Sequence, residues 1–409
     1  MKQQQPEEHI DAPPGIPHPE RRPRRRRRRS DFLAGFGVRE AQSLALALIQ
    51  PKMEQQEEED DAVQTRVTSL IDFDKFYFES YSHLGIHEEM IKDRVRTDAY
   101  KNAVEYHADS IRGKVVLDVG CGTGILAIFC AQAGAKRVYA VEASNIALQA
   151  KSVVTDNNLS NIIMVLHGRL EDVEINEKVD VIISEWMGYM LLYENMLGSV
   201  ITARDRWLRP GGLILPSKAT LYMTPFTHAK RYHEIIGFWN DVYGIDMSAM
   251  LPLAKQCAFE EPSVETITHE NVLALPHEVK CVDCYSITIP ELESVRNKFK
   301  FYSLAKAPLH GFAFWFDVDF NQPVSPKPVS FHLPGSSVDK DPVVSTIKNR
   351  RDPALLLSTA PERPSTHWKQ TLIYFYNPIE LEKNQLIEGR VTLSQSQDNA
   401  RFLNINLAY

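Results

Sequence analysis

The sequence predicts an α/β domain built on a parallel sheet, followed by an antiparallel β domain. Between Lys114 and Leu215, apolar runs of strand length alternate with helical stretches, a pattern that builds a parallel sheet with helices on both faces. After Pro216, strand-like runs follow one another with a single helical interruption, as in an antiparallel β fold.

Residues 1–65 are low in complexity. Glutamine and proline come first, then Arg21–Arg29 with eight arginines and one proline, then the mostly acidic Glu54–Asp61. Such blocks bury too little apolar surface to offset the entropy of folding, so this arm is predicted disordered, with Asp31–Ile49 a candidate short helix. The first domain is placed at 66–216. It opens on the closely spaced aromatics Phe73, Phe76, Tyr77, Phe78 and Tyr81, then a helix over His87–Tyr100. Strands are predicted at Val115–Val119, Val138–Val141, Ile162–Leu166 and Val179–Ser184, with helices at Ile125–Ala133 and Ile146–Asn157. A helix over Tyr193–Trp207, a Pro210-Gly211-Gly212 turn and a strand at Leu213–Leu215 complete this domain.

The second domain is placed at 217–409. Its predicted strands are Thr220–Thr224, Val279–Ile289, Phe299–Tyr302, Phe312–Phe320, Gln370–Tyr376, Gly389–Leu393 and Leu403–Leu407. The helical interruption, Lys230–Met250 within an arm near 227–251, carries Tyr232, Ile235, Ile236, Phe238, Trp239 and Tyr243. That is more apolar surface than a lone surface helix presents, so it packs on its own β domain or on a second subunit.

Composition narrows the class. With 44% hydrophobic and 24% charged residues over 409 positions, the chain reads as globular. No window reaches the roughly 18 uninterrupted apolar residues of a membrane span, and the polar Met1–Glu8 lacks the apolar core of a secretory leader. Five cysteines are scattered, with Cys281 and Cys284 forming a lone Cys-x-x-Cys. A structural zinc site usually needs a second pair or spaced histidines, so no metal site is expected, and the pattern suits a reducing compartment. The net charge of −7 becomes −15 once the eight clustered arginines are set aside (−7 less 8); an acidic body steers basic substrates. The arginine run reads as a nuclear-import signal or a nucleic-acid patch, and nuclear localisation is expected.

Strand Val115–Val119 runs into Gly120-Cys121-Gly122-Thr123-Gly124, with Asp118 just before. Glycines let the backbone turn tightly and approach a ligand. The spacing is Gly-x-Gly-x-Gly, not the Gly-x-Gly-x-x-Gly that seats a pyrophosphate. Glu142 ends the next strand, where a carboxylate accepts both ribose hydroxyls. Together these residues predict a nucleotide-type cofactor, and the Gly-x-Gly-x-Gly variant resembles the first motif of class I methyltransferases, which implies a cofactor without phosphates.

The distinctive segment is Ser184-Glu185-Trp186-Met187-Gly188-Tyr189-Met190-Leu191-Leu192-Tyr193-Glu194. Glu185 leaves strand Val179–Ser184 at the carboxyl edge, where ligands bind in such sheets, and Gly188 permits a hairpin before Glu194. Two carboxylates suit a guanidinium, a rigid fork of donors with permanent charge. Held on two of its nitrogens, they concentrate positive charge away from the third and leave it nucleophilic.

The segment Glu185 to Glu194 resembles the double-glutamate hairpin of the type I protein arginine methyltransferases. Thr366-His367-Trp368 resembles that family's Thr-His-Trp loop. Tyr77-Phe78-Glu79-Ser80-Tyr81 and Gly85-Ile86-His87-Glu88-Glu89-Met90 resemble its cofactor-covering helix. The resemblance covers Phe76 to the C-terminus. It implies a Rossmann-like class I methyltransferase domain, then an antiparallel β-barrel with an inserted helical dimerisation arm, and hence a homodimer. It implies S-adenosylmethionine as cofactor, with His87 and Arg96 near its methionine part, Gly120 touching it through the backbone, Glu142 on the ribose and Glu171 on the adenine amino group. Glu185 and Glu194 would grip the substrate guanidinium, and Tyr77 and Tyr81 would close the pocket. His367 would pair with Asp93, either to carry away a proton or as a structural clasp. Met90 and Met187 fit the type I pattern, which gives asymmetric dimethylarginine. Implied substrates are arginines of proteins such as histones or RNA-binding proteins. The N-terminal arm and the polar stretch at about 332–353 depart from the pattern, the latter reading as an inserted loop.

Three rivals carry different expectations. A nicotinamide dehydrogenase conflicts with the glycine spacing. A catalytically dead scaffold conflicts with the full set of acids. A nucleic-acid methyltransferase would set two glutamates against a base beside anionic phosphates.

Overall fold

This computed structural model describes residues 74–321 and 355–409. The arginine run, the acidic block, the candidate helix Asp31–Ile49 and the inserted loop 332–353 lie outside those residues.

Strands β1 (Val115–Val119), β2 (Arg137–Glu142), β3 (Ile163–His167), β4 (Val179–Ile183) and β5 (Leu208–Leu215) form one sheet in the order β3-β2-β1-β4-β5. Every pairing is parallel. All five residues of β1 are buried, because a parallel strand is covered on both faces. That is why the sequence Val-Val-Leu-Asp-Val shows no alternation. The strand order reverses between β1 and β4, so the chain leaves their carboxyl ends in opposite directions and opens a crevice there. The glycine turn follows β1 and Glu185 follows β4, which sets the two motifs on the same crevice.

Ahead of the sheet lie α1 (described over residues 74–80), α2 (Leu84–Lys92) and α3 (Arg94–Tyr106). The single helix expected over His87–Tyr100 is therefore two. Asp93 breaks it: its backbone is extended (φ −68°, ψ 93°) and its carboxylate accepts the Arg96 N–H, capping α3. Aspartate is favoured at such a cap because it satisfies an otherwise orphaned backbone donor. Helices α4 (Ile125–Gln132), α5 (Ile146–Asp156) and α6 (Leu197–Trp207) complete the domain.

Two further expectations are corrected here. The helix placed at Tyr193 starts only at Leu197, since Glu194 and Asn195 take left-handed backbone conformations (φ 73° and 53°) that no α-helix contains. The Pro210-Gly211-Gly212 turn is instead part of β5. β5 is the edge strand of its sheet, and on an edge the missing proline N–H costs no ladder bond.

The second domain pairs two antiparallel sheets. One runs β7 (Ser263–Glu265), β12 (Gln370–Leu381), β10 (Ala307–Asp319), β6 (Lys218–Phe226), β8 (His277–Asp283), with β11 (Leu356–Ser358) beside β10. The other runs β14 (Leu403–Ala408), β13 (Leu386–Gln395), β9 (Ser294–Tyr302). They face each other across Phe299, Phe301 and Phe312, with ring centroids 5.2 and 6.1 Å apart. The strand expected over Val279–Ile289 stops at Asp283. A short helix, Ile289–Glu293, then begins behind a Thr288–Glu291 capping box, in which each side chain satisfies the other's backbone donor.

The helical arm is longer and more broken than expected. Ala229–Ile236 is α-helical, Gly237–Asn240 and Ser248–Met250 are single 3-10 turns, and a second helix continues over Leu251–Phe259. The break between the turns is made by Gly244 (φ 80°), whose N–H is held by Asp241 at 2.8 Å. At the arm's base Tyr232 stacks on Phe259, which stacks on Tyr374. At its tip Phe238, Tyr243 and Ile245 are exposed.

One hydrophobic core spans both domains. Phe320, at the end of β10, is fully buried edge-on against Tyr100 of α3 at 4.9 Å. Its carbonyl accepts a hydrogen bond from His107 Nε2 at 2.7 Å. A side chain buried to this degree stabilises the fold by roughly 1.5–3 kcal/mol.

Candidate active site

The glycine turn forms the floor. Gly120 and Gly122 adopt left-handed conformations (φ 70° and 53°), which side-chain-bearing residues rarely take. A Cβ on Gly122 would press on the His87 ring, so the missing side chain is also space. Beside it the Glu142 carboxylate accepts the Gly122 N–H at 2.9 Å on Oε2 and the Ser144 N–H at 2.8 Å on Oε1. Each carboxylate oxygen has two acceptor sites, so one on each remains for ribose hydroxyls. Asp118 lies fully buried under the turn, and neither of its oxygens has a hydrogen-bond partner among the described residues. Burial pushes its carboxyl up to about 8. A backbone cradle of left-handed glycines, flanked by a carboxylate with an acceptor site left on each oxygen, fits a cofactor that bears a sugar.

The hairpin after β4 is held at both ends. The Glu185 side chain is 8% exposed, and its Oε2 accepts two hydrogen bonds from Arg96, from Nε at 3.0 Å and Nη2 at 2.8 Å. Arg96 Nη1 donates to the Met90 carbonyl at 3.2 Å. The Met187 N–H donates to Glu185 Oε1, and its sulfur lies 3.7 Å from the Tyr100 hydroxyl. At the other end Glu194 Oε2 accepts the hydroxyls of Tyr77 at 3.0 Å and Tyr81 at 2.7 Å. Burial raises the Glu194 carboxyl above the usual carboxylate range, and nearby Glu185 raises it further; the two tyrosine hydrogen bonds and Arg401 act in the opposite direction. Burial likewise raises both tyrosines well above their ordinary value, so both remain donors.

His87 and Arg96 thus reach the same crevice as Glu185 and Glu194. His87 is buried, with Nε2 donating to the Tyr81 carbonyl at 2.8 Å, which ties α2 to the turn behind α1. Glu171 lies further out. It accepts the Ser199 hydroxyl at 2.8 Å and lies 3.7 Å from Arg169. His367 comes from the second domain and meets Asp93. Its Nδ1 and its backbone N–H both donate to Asp93 Oδ2, at 2.7 and 2.8 Å. Burial alone would raise Asp93, but the His367 side chain and the backbone N–H groups of Arg96 and His367 outweigh it and hold the carboxyl below its ordinary value. Trp368, next in sequence, donates from its indole to the Met187 carbonyl at 3.1 Å.

Two residues of the site carry no local sequence signal. Arg401, in the turn between β13 and β14, donates to the Glu194 carbonyl at 3.0 Å and to Asp74 at 2.8 Å. Neither residue lies in a motif. Only their pairing across the fold marks them.

Comparison with known proteins agrees with this geometry. Residues 217–334 and 345–409 match the family described as arginine methyltransferase oligomerization subdomain. The interruption falls inside the stretch expected to be an inserted loop. Residues 102–214 match ribosomal protein L11 methyltransferase (PrmA). The chain is 64% identical over 345 residues to the probable protein arginine N-methyltransferase 6 of Arabidopsis thaliana, covering 83% of this chain and 79% of that one. It is 42% identical over 340 residues to protein arginine N-methyltransferase 6 of Danio rerio, covering 82% and 89%. Among solved structures, the Trypanosoma brucei PRMT1 enzyme-prozyme heterotetrameric complex with AdoHcy aligns with a TM-score of 0.67 at 34% identity, over 81% of this chain and 95% of that one. A structure described as PRMT6-SAH aligns at 0.62 and 29% identity, over 80% and 99%. On the relatives' identity and coverage, the chain belongs to the protein arginine N-methyltransferase family, whose methyl donor is S-adenosylmethionine.

Proposed function

We propose that this chain is a type I enzyme of its family, converting protein arginines to asymmetric dimethylarginine. The observation that carries the reading is the pair Glu185 and Glu194 on one hairpin, with the Met90 carbonyl bonded to Arg96 and the Met187 N–H bonded to Glu185. S-adenosylmethionine supplies an electrophilic methyl group on a sulfonium centre. The Gly120–Gly122 turn, Glu142, His87 and Arg96 are the residues that would hold it, with Glu171 for the adenine edge.

Glu185 and Glu194 bind the substrate guanidinium by charge-assisted hydrogen bonds. They draw its positive charge onto the two bound nitrogens, so the third presents its lone pair to the methyl group. They also offset the repulsion between guanidinium and sulfonium. Because Tyr77 and Tyr81 both occupy Glu194 Oε2, Oε1 is the oxygen left to meet substrate. When the nitrogen gains a methyl it must lose a proton to a nearby acceptor. Asp93 holds the Nδ1–H of His367 and so leaves Nε2 as the acceptor nitrogen; His367 either takes that proton or serves as a structural clasp on the helix cap. A flexible thioether at Met90 and at Met187 leaves room for a monomethylated guanidinium to turn and take a second methyl on the same nitrogen.

The substrates fitting an acidic body are arginine-rich protein segments such as histone tails or RNA-binding proteins. The apolar arm tip makes a homodimer the assembly that would cover Phe238, Tyr243 and Ile245; a monomeric mass in light scattering would remove it. Nuclear accumulation through Arg21–Arg29 is part of the same reading, and an unchanged distribution of a tagged chain lacking the run would end it. The principal test is mass spectrometry of an arginine- and glycine-rich peptide after incubation with the protein and S-adenosylmethionine. Fragments losing dimethylamine are expected. A symmetric or purely monomethyl product would keep the family and overturn the type.

A further inference from the structure

We propose that Arg401 is a positioning residue for arginine transfer. From the turn between β13 and β14 it bolts the tyrosine-bearing helix α1 onto the acid hairpin and so fixes Glu194 for the substrate guanidinium. The inference rests on the arginine-methyltransferase reading of this site.

Five contacts carry it. The Arg401 carbonyl accepts the Glu194 N–H at 2.8 Å, and Arg401 Nη1 donates back to the Glu194 carbonyl at 3.0 Å. Glu194 is thereby gripped on both sides of its own backbone, where it takes a left-handed conformation (φ 73°) unfavourable for a side-chain-bearing residue. On its other edge Arg401 Nε donates to Asp74 of α1 at 2.8 Å. Its guanidinium lies over the Tyr77 ring at 4.0 Å and the Phe78 ring at 5.1 Å. These are the favourable geometries of a cation on an aromatic face. Arg401 is itself anchored, its N–H held at 2.8 Å by the buried Asn399. A single planar fork therefore touches the residue whose carboxylate meets substrate and the helix whose tyrosines orient that carboxylate.

The arrangement has an electrostatic side. Around Glu194 stand Tyr77 and Tyr81 from α1 and its following turn, Glu185, Tyr189 and Tyr193 from the hairpin, and Arg401 from the β13–β14 turn. Among these, Arg401 supplies the positive charge, opposing both burial and Glu185. Removing that charge lets the Glu194 carboxyl rise further. Since Glu194 must be ionised to hold a guanidinium, the acid limb of the rate profile moves to higher pH.

The test compares the full chain with Arg401→Gln, Arg401→Lys and Asp74→Asn, using an arginine peptide and S-adenosylmethionine. For Arg401→Gln, kcat/KM should fall by roughly tenfold to a hundredfold, the scale of a misplaced reacting group, and the acid limb should move up in pH. Arg401→Lys keeps the charge, so its limb should return toward that of the parent while the rate recovers only in part. Asp74→Asn should slow the reaction without moving the limb. Amide hydrogen exchange over residues 74–83 should quicken in Arg401→Gln. A lower rate with an unmoved limb, or exchange unchanged from the parent, overturns the proposal. Should Arg401→Gln fail to fold, the Lys and Asn variants decide by the same readouts. If the parent chain methylates no arginine peptide, the activity reading falls, and hydrogen exchange alone judges whether Arg401 holds α1.

Discussion

Glu185→Gln is expected to lower arginine methylation by at least about 10²–10³-fold, the scale on which a single group that stabilises developing charge acts. The substitution keeps size and one acceptor oxygen but deletes the charge. Without it, the bound guanidinium spreads its positive charge evenly, the attacking nitrogen stays deactivated, and repulsion from the sulfonium is uncompensated. The structure adds a second consequence. Glu185 is the anionic partner of Arg96 in a pair whose side chains are only 7% and 8% exposed. A buried ion left beside a neutral partner is strongly destabilising, by as much as about 3–5 kcal/mol when the partner is removed outright. The retained amide oxygen still accepts from Arg96, so the loss should sit at or below the low end. The melting temperature should therefore drop in the absence of cofactor. Affinity for S-adenosylhomocysteine by calorimetry should stay within a few-fold, since Gly120, Glu142, His87 and Arg96 are all retained. Near-parental turnover in this variant would take Glu185 out of the mechanism, and a large loss of cofactor affinity would mean that the Arg96–Glu185 pair is chiefly part of the cofactor pocket.

Gly188→Ala is expected to cost about a hundredfold in kcat/KM, the effect of moving reacting groups by roughly an ångström, with cofactor binding unchanged. Gly188 sits at the mouth of the hairpin, where its N–H donates to the Leu191 carbonyl at 3.2 Å. A Cβ there would run into the carbonyl oxygen and carbon of Tyr193. Those are backbone atoms adjoining Glu194, so relief requires the hairpin itself to move. The hairpin has little slack, because Met190, Leu191, Glu194 and Asn195 already hold left-handed conformations (φ 51°, 66°, 73° and 53°). Each such residue carries a strain of about 1–2 kcal/mol. Displacement therefore separates Glu194 from Glu185 while β1, β2 and the glycine turn stay in place. Steady-state kinetics beside calorimetry separates the two effects; unaltered kcat/KM would show that the spacing of the two acids is not critical.

The parallel sheet and the glycine turn were legible in the sequence because each rests on contiguous residues. A strand covered on both faces must be a short apolar run, and the turn must carry glycines at fixed spacing. The two acids were legible for the same reason, lying on one unbroken segment beside Gly188. What was not legible lies in pairings across the fold. The His367–Asp93 pair came with the family resemblance and is present, but nothing near Asp93 announces that it both ends one helix and starts the next. Nothing near Arg96 says that its partner in this structure is Glu185. The strand hidden in Leu208–Leu215 was misread because Pro210-Gly211-Gly212 is turn chemistry by local rules, and only the edge position in the sheet, a long-range property, lets a strand include it. Arg401 sits in a polar stretch that reads as an ordinary loop.

The far-separated contacts also set the order in which the site is written along the chain. The crevice floor is made by residues up to Glu142 and the acid hairpin by residues up to Glu194. The groups that lock them into place, His367 on Asp93, Trp368 on Met187 and Arg401 on Glu194, come from the last part of the chain. In chain order, the residues of the donor-binding floor therefore all precede the groups that fix the guanidinium grip.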